Sequence, residues 1–134
     1  MAKILAIDVG EKRVGLAASD ETQMIAAPFG YIDRTGAIEK ISDIVSQEAI
    51  GLVVVGMPFM PSGTLGSQAV DVQAFVASLR EMIKVDIDFE NEVLSSVEAT
   101  NRLKSMKRKI KDKGEVDAMA ATIILESYLN RSSR

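Results

Sequence analysis

The stretch Ile4 to Asp20, ILAIDVGEKRVGLAASD, constrains the fold more than any other. An apolar run ends in Asp8, a glycine and the charged Glu11, Lys12 and Arg13 follow, and a second apolar run covers Val14 to Ala18. Two such runs joined by a short polar turn read as a β-hairpin, with strands over about Lys3–Val9 and Val14–Ser19. Asp8 stands where the first strand opens out. It is the candidate anchor of a site built on acids.

Further strands and helices follow in order. Ala26–Asp33 reads as a third strand, with Pro28 demanding an edge position or a bulge. Ile38, Ile41, Val45 and Ala49 recur at helical spacing, and Gly51 is expected to end that helix. Leu52–Val55 is a short apolar strand of the kind buried on both faces. Gly56 to Gly66, rich in glycine and proline, is a loop without the Lys-Ser/Thr ending of a P-loop. From about Ser67 a helix presents Val72, Phe75, Val76, Leu79, Met82 and Ile83 on one face, and Val85–Phe89 is a strand. Ser95-Ser96-Val97-Glu98 has capping-box spacing, and Ala99, Leu103 and Met106 continue the helix it starts. Gly114 is expected to break the chain before a last helix, Glu115–Leu129, so apolar that it must lie against a sheet.

The order β-β-β-α-β-α-β-α-α implies an α/β domain with a mixed sheet. Three strands pair antiparallel, and two add in parallel through right-handed crossovers. Neither a repeat nor a boundary divides residues 1–134, a length that suits one domain with its own core. No apolar run reaches membrane-spanning length and no signal-peptide layout opens the chain, so a cytoplasmic protein without a membrane partner is expected.

The chain contains neither cysteine nor histidine. Thiolate chemistry, imidazole bases and zinc sites of the usual kind are thereby excluded. Catalysis would fall to carboxylates, Lys, Ser/Thr, Tyr or a bound metal. Three acids stand out. Asp8 ends an apolar strand, although a turn-capping aspartate would look the same. Glu92 follows the Val85–Phe89 strand, at the kind of strand end where α/β sheets place ligands, although a solvated loop acid would too. Asp117 sits among Val116, Ala118, Ala120 and Ala121. A first-turn acid complements the helix dipole, yet a carboxylate on so apolar a helix is costly unless a cation pairs with it. Glu90, Asp20 and Asp88 stay open as assistants. Three converging carboxylates suit hard cations, Mg²⁺ or Mn²⁺, and the matching reaction is phosphodiester hydrolysis.

The net charge of −3 does not announce nucleic-acid binding, but its distribution is uneven. Lys104, Lys107, Arg108, Lys109, Lys111 and Lys113 face a single Asp112. Such a run is either a solvated helix end or a phosphate-neutralising surface that reads no sequence. Lys12 and Arg13 are candidate phosphate contacts beside Asp8.

Four segments together resemble the YqgF/RuvX family, described as Holliday-junction-resolvase-like proteins and as pre-16S rRNA nucleases. They are Asp8-Val9-Gly10-Glu11-Lys12-Arg13-Val14-Gly15; Val55-Gly56-Met57-Pro58 with Gly63-Thr64; Glu92 with Leu94-Ser95-Ser96-Val97-Glu98-Ala99; and Lys113-Gly114-Glu115-Val116-Asp117-Ala118-Met119-Ala120-Ala121 with Ile124-Leu125-Glu126-Ser127-Tyr128-Leu129. The resemblance spans essentially the whole chain. It implies an RNase-H-like fold, a five-stranded mixed sheet with helices on both faces. It also implies a metal-binding catalytic site at Asp8, Glu92 and Asp117, and a role in maturing the 5′ end of pre-16S rRNA. Branched DNA is the alternative substrate, and ribosomal particles are the expected company of a monomer or weak homodimer. The third segment departs from the family's Asp-Glu-Arg pattern, with Asn91 and Val93 flanking Glu92. Val93 cannot replace a bidentate phosphate binder. A nucleic-acid-binding module of the same fold, without turnover, is therefore a second reading. A nucleotide-binding protein related to actin-like ATPases is a third, disfavoured because that fold needs two lobes.

Overall fold

The computed structural model describes residues 2–58, 66–91, 99, 101–102, 104 and 113–132. Strands β1 (Lys3–Val9) and β2 (Arg13–Ser19) form the predicted hairpin, antiparallel from Leu5 opposite Ala18 to Val9 opposite Val14. Strand β3 (Ala26–Asp33) pairs with β2 and is an edge. Its register slips between Leu16 opposite Gly30 and Ala17 opposite Pro28. Phe29 is the extra residue, so the proline brings both the edge and the bulge that its missing N–H predicts.

Helix α1 (Ala37–Gln47) buries Ala37 and Ile41 and ends earlier than expected. Glu48 N–H closes on the Ile44 carbonyl at 2.9 Å, and Ala49 turns the chain at φ 53°. A left-handed alanine costs about 1–2 kcal/mol. Gly51, expected to stop the helix, instead lies inside strand β4 (Ile50–Met57). The β1–β4 register jumps from Lys3 opposite Ile50 to Ile4 opposite Leu52, which leaves Gly51 as the bulge residue. A Cβ there would sit 2.4 Å from that of Ala2.

Helix α2 (Ser67–Met82) buries Ala69, Val72, Phe75, Val76 and Leu79. Met82, expected on that face, is exposed. The helix stops there, and Ile83, in extended conformation, takes the inward place. Strand β5 (Asp86–Asn91) starts one residue after Val85 and runs parallel to β4, Leu52 opposite Asp86 and Met57 opposite Asn91. Ala99, Asn101, Arg102 and Lys104 are helical. The capping box, Leu103 and Met106 lie outside the described residues.

The last helix, α3 (Lys113–Ser132), begins before Gly114 rather than after it. Gly114 is there for close approach, since a Cβ would fall 2.2 Å from Cε1 of Tyr31. The earlier start moves Asp117 into the second turn, and the first-turn acid is Glu115. The dipole explanation of Asp117 weakens accordingly, because that effect fades beyond the first turn.

The sheet order is β3-β2-β1-β4-β5, antiparallel on the hairpin side and parallel from β1 outward. Leu5, Ile7 and Val9 pack with Val53, Val55, Ile41, Val72 and Leu79 on the face covered by α1 and α2. Ile4, Ala6, Ala17 and Val54 pack with Ala121, Ile124, Leu125 and Leu129 under α3. Burial on both faces explains why β1, β2 and β4 read as continuous apolar runs. No helix among the described residues is long and apolar enough to cross a membrane.

Candidate active site

Side-chain alternation decides which face Asp8 takes. Ile4 and Ala6 meet α3, so Asp8 is directed to the α3 face as well. Gly15 is its partner on β2. On the other side, continuing the β1–β4 register by one residue past Ile7 opposite Val55 brings Gly56 beside Asp8. A row therefore crosses the sheet under α3: Tyr31, Gly15, Asp8, Gly56, Glu90. Asp8 is the row's central residue, and neither neighbouring strand puts a side chain next to it.

The missing side chain at Gly15 is occupied by α3 itself. A Cβ on Gly15 would lie 2.0 Å from the Asp117 carbonyl oxygen and 3.0 Å from the Ala118 nitrogen. The main chain of Asp117 thus rests on the strand position opposite Asp8. A glycine inside an otherwise apolar strand is the sequence mark of such an approach. The Asp117 carboxylate turns toward the hairpin, where Arg13 Nε donates to its Oδ2 at 2.7 Å. Both side chains are about a quarter exposed, at 27% and 26%. The cation that an acid on this apolar helix requires is therefore supplied by the chain. Arg13, read from sequence as a phosphate contact, is held to Asp117, while Lys12 is exposed in the hairpin turn.

The acids left open each have hydrogen-bond partners of their own. Glu90, buried in the same row, accepts from Ser127 Oγ at 2.6 Å and from Arg131 Nε at 2.9 Å. Asp88 accepts from the Tyr128 hydroxyl at 2.8 Å and from the Phe89 N–H. The Tyr128 hydrogen bond is the larger cause that holds the Asp88 carboxyl below the usual range, and burial pushes the Tyr128 phenol up. Together these bonds pin the second half of α3 to β5. Asp20 lies at the opposite end of β2. The Thr22 hydroxyl, then the Ile25 N–H, lower its pKa, and it serves as a turn cap.

A second cluster braces the turn after Asp8 and was not anticipated from sequence. Arg34 Nη1 donates to the Gly10 carbonyl at 2.8 Å, and the guanidinium forks onto Asp71 of α2 at 3.1 and 3.0 Å. It lies 5.0 Å over the Phe75 ring, and its backbone N–H reaches the Lys12 carbonyl at 2.8 Å. The Arg34 hydrogen bond holds the Asp71 carboxyl below its ordinary value. Val9, Glu11, Arg34, Ser67, Gln68 and Asp71 line a cavity of about 790 Å³ on the α2 side of this turn. Val9 belongs to the other core, so that cavity lies away from the Asp8 face.

Of the residues selected from sequence, the structure brings Asp8, Asp117 and Arg13 together. Glu92 follows Asn91 directly and lies outside the described residues, as do Lys107, Arg108, Lys109 and Lys111. Lys104 is exposed, and Lys113 opens α3. Among the described residues no cluster of three or more Asp, Glu, His or Cys side chains suited to a metal occurs. Asp8 and Asp117 offer carboxylate oxygen alone, which suits a hard divalent cation.

Comparison with known proteins identifies the family and the fold. A protein of Synechocystis sp. named "Putative pre-16S rRNA nuclease" is 41% identical over 130 residues, covering 94% of this chain and 86% of the relative. A Chloroflexus aurantiacus protein of the same name is 39% identical over 131 residues, 95% and 86% of the two chains. Thermus thermophilus RuvC in complex with a Holliday junction substrate superposes with a TM-score of 0.63 at 14% identity, covering 99% and 97%. The fowlpox virus resolvase in complex with junction DNA gives 0.58 at 12%, covering 98% and 99%. The shared fold is RNase-H-like. The model of one family, RuvX, described as Holliday junction resolvase, matches residues 2–131, and the chain belongs to that family.

Proposed function

We propose that this chain is a divalent-metal-dependent nuclease that hydrolyses phosphodiester bonds in structured nucleic acid, with the 5′ end of pre-16S rRNA as its substrate. The observation that carries the reading is Asp117, whose main chain is seated on Gly15 directly opposite Asp8. Relatives named as pre-16S rRNA nucleases supply the substrate class. The family description favours branched DNA as the second substrate to test.

Asp8 and Asp117, with Glu92 just beyond β5, would hold Mg²⁺ or Mn²⁺. Such a cation supplies Lewis-acid activation of water and of the scissile phosphate. The chain's own residues orient the reaction. The Asp8 row fixes one carboxylate on a rigid strand, and α3 fixes the second. Lys12 and the basic residues from Lys104 to Lys113 neutralise phosphates without reading sequence. The setting is the cytoplasm, in company with ribosomal particles.

The test is incubation with a pre-16S 5′-leader RNA and with a four-way DNA junction, each with Mg²⁺ or Mn²⁺. Cleavage of the RNA, abolished by Asp8→Asn, is expected. Undiminished cleavage by Asp8→Asn would sink the assignment. Binding without cleavage under every divalent cation would favour the module without turnover that Asn91 and Val93 suggest.

A further inference from the structure

We infer that Arg13 is a resident counter-ion that competes with the divalent cation for Asp117, and so sets the metal affinity of the site. The inference rests on the reading of Asp8 and Asp117 as metal ligands. Arg13 opens β2 two residues before Gly15, on the face that receives α3. Its Nε reaches Asp117 Oδ2 at 2.7 Å across 104 residues of chain. The two carboxylates of the site lie on one face, and without a cation they would repel each other. A guanidinium keeps its charge at every physiological pH, so the pair persists whenever the metal is absent.

A group that binds the metal-free state weakens apparent metal affinity by the free energy of its own contact. The Arg13–Asp117 pair is a quarter exposed on both sides, and its strength is correspondingly modest. Its removal should tighten metal binding roughly two- to fivefold, the range of a partly exposed ion pair. Arg13 thus holds Asp117 aimed before loading, at the cost of a weaker grip on the cation afterwards.

The experiment is a Mn²⁺ titration followed by electron paramagnetic resonance of the free ion, on wild type, Arg13→Gln, Lys12→Gln and Asp8→Asn. Arg13→Gln should bind roughly two- to fivefold tighter. Lys12→Gln, which removes a neighbouring charge exposed in the turn, should match wild type. A weaker or unchanged Arg13→Gln overturns the inference, as does a Lys12→Gln that tightens equally, since charge alone would then be enough. A wild type without Mn²⁺ affinity, or an Asp8→Asn that binds as well, overturns the metal reading itself and this inference with it. Wild-type protein gives a second measurement free of folding effects. The Arg13 Nε proton should exchange slowly without metal and markedly faster at saturating Mg²⁺. Unchanged exchange at saturation overturns the competition.

Discussion

Gly15→Ala is the sharpest test of how this site is held. The added Cβ would lie 2.0 Å from the Asp117 carbonyl oxygen, 2.4 Å from its carbon and 3.0 Å from the Ala118 nitrogen. All three atoms are helix main chain, which cannot rotate out of the way. Restoring an ordinary contact near ~3.4 Å requires α3 to lift by roughly 1.4 Å. Overpacking of this kind costs about 1–3 kcal/mol, and a main-chain obstacle puts it near ~3 kcal/mol. The lift also carries Asp117 away from Asp8, and a misplacement of ~1 Å costs on the order of 100-fold in rate. Urea denaturation reads the first effect and cleavage with Mn²⁺ the second. Gly36→Ala is the control. It has no atom within 4 Å of its Cβ but a φ of 74°, so backbone strain alone acts, at the start of α1 on the face opposite α3. It should lose about 1–2 kcal/mol and keep full cleavage. A Gly15→Ala protein within about 0.5 kcal/mol of wild type and equally active would refute the reasoning.

Three further outcomes are expected. Tyr128→Phe removes the hydroxyl that lowers the Asp88 pKa. That stability is present above the ordinary carboxylate value of 3.8 and lost as pH falls through the lowered one. It is lost again as pH rises through the raised Tyr128 value, above the ordinary 10.0. The wild-type advantage in urea midpoint should therefore be flat from about pH 5 to 9 and shrink outside it, and a gap independent of pH would disprove the coupling. Arg131→Ala should cost about 2 kcal/mol by leaving the buried Glu90 carboxylate with Ser127 alone, whereas Glu90→Ala, which frees two exposed donors to water, should cost under ~1 kcal/mol; equal losses in denaturant would contradict the buried-acceptor argument. Arg34→Ala should let the Asp71 carboxyl rise toward its ordinary 3.8 in an NMR titration and speed amide exchange in the Gly10–Arg13 turn; a rigid turn would show that the brace is dispensable.

Strands were legible where burial on both faces leaves long apolar runs, as in β1, β2 and β4. Pro28 even announced its bulge. Glycine is the least legible residue here. Gly51 and Gly114 looked like helix punctuation, yet one is a bulge against Ala2 and the other a seat for the Tyr31 ring. A glycine needed for a turn and one needed for a distant neighbour are identical in sequence. Asp8 and Asp117 stood out because acids beside apolar residues demand an explanation. Arg13 did not stand out as the partner of Asp117, since a contact spanning 104 residues leaves no local pattern. Glu90 and Glu92 look alike in sequence, and only the fold shows that Ser127 and Arg131 hold Glu90.

The Arg13–Asp117 bond has a consequence in time as well as in space. The ribosome makes Arg13 first and Asp117 only 104 residues later. At about 5–20 residues per second, roughly 5–20 seconds separate the two. Through that interval the nascent hairpin carries Asp8 without the helix that completes its face. On the proposed reading, a nuclease assembled beside the rRNA of its own ribosome is inert until α3 has emerged.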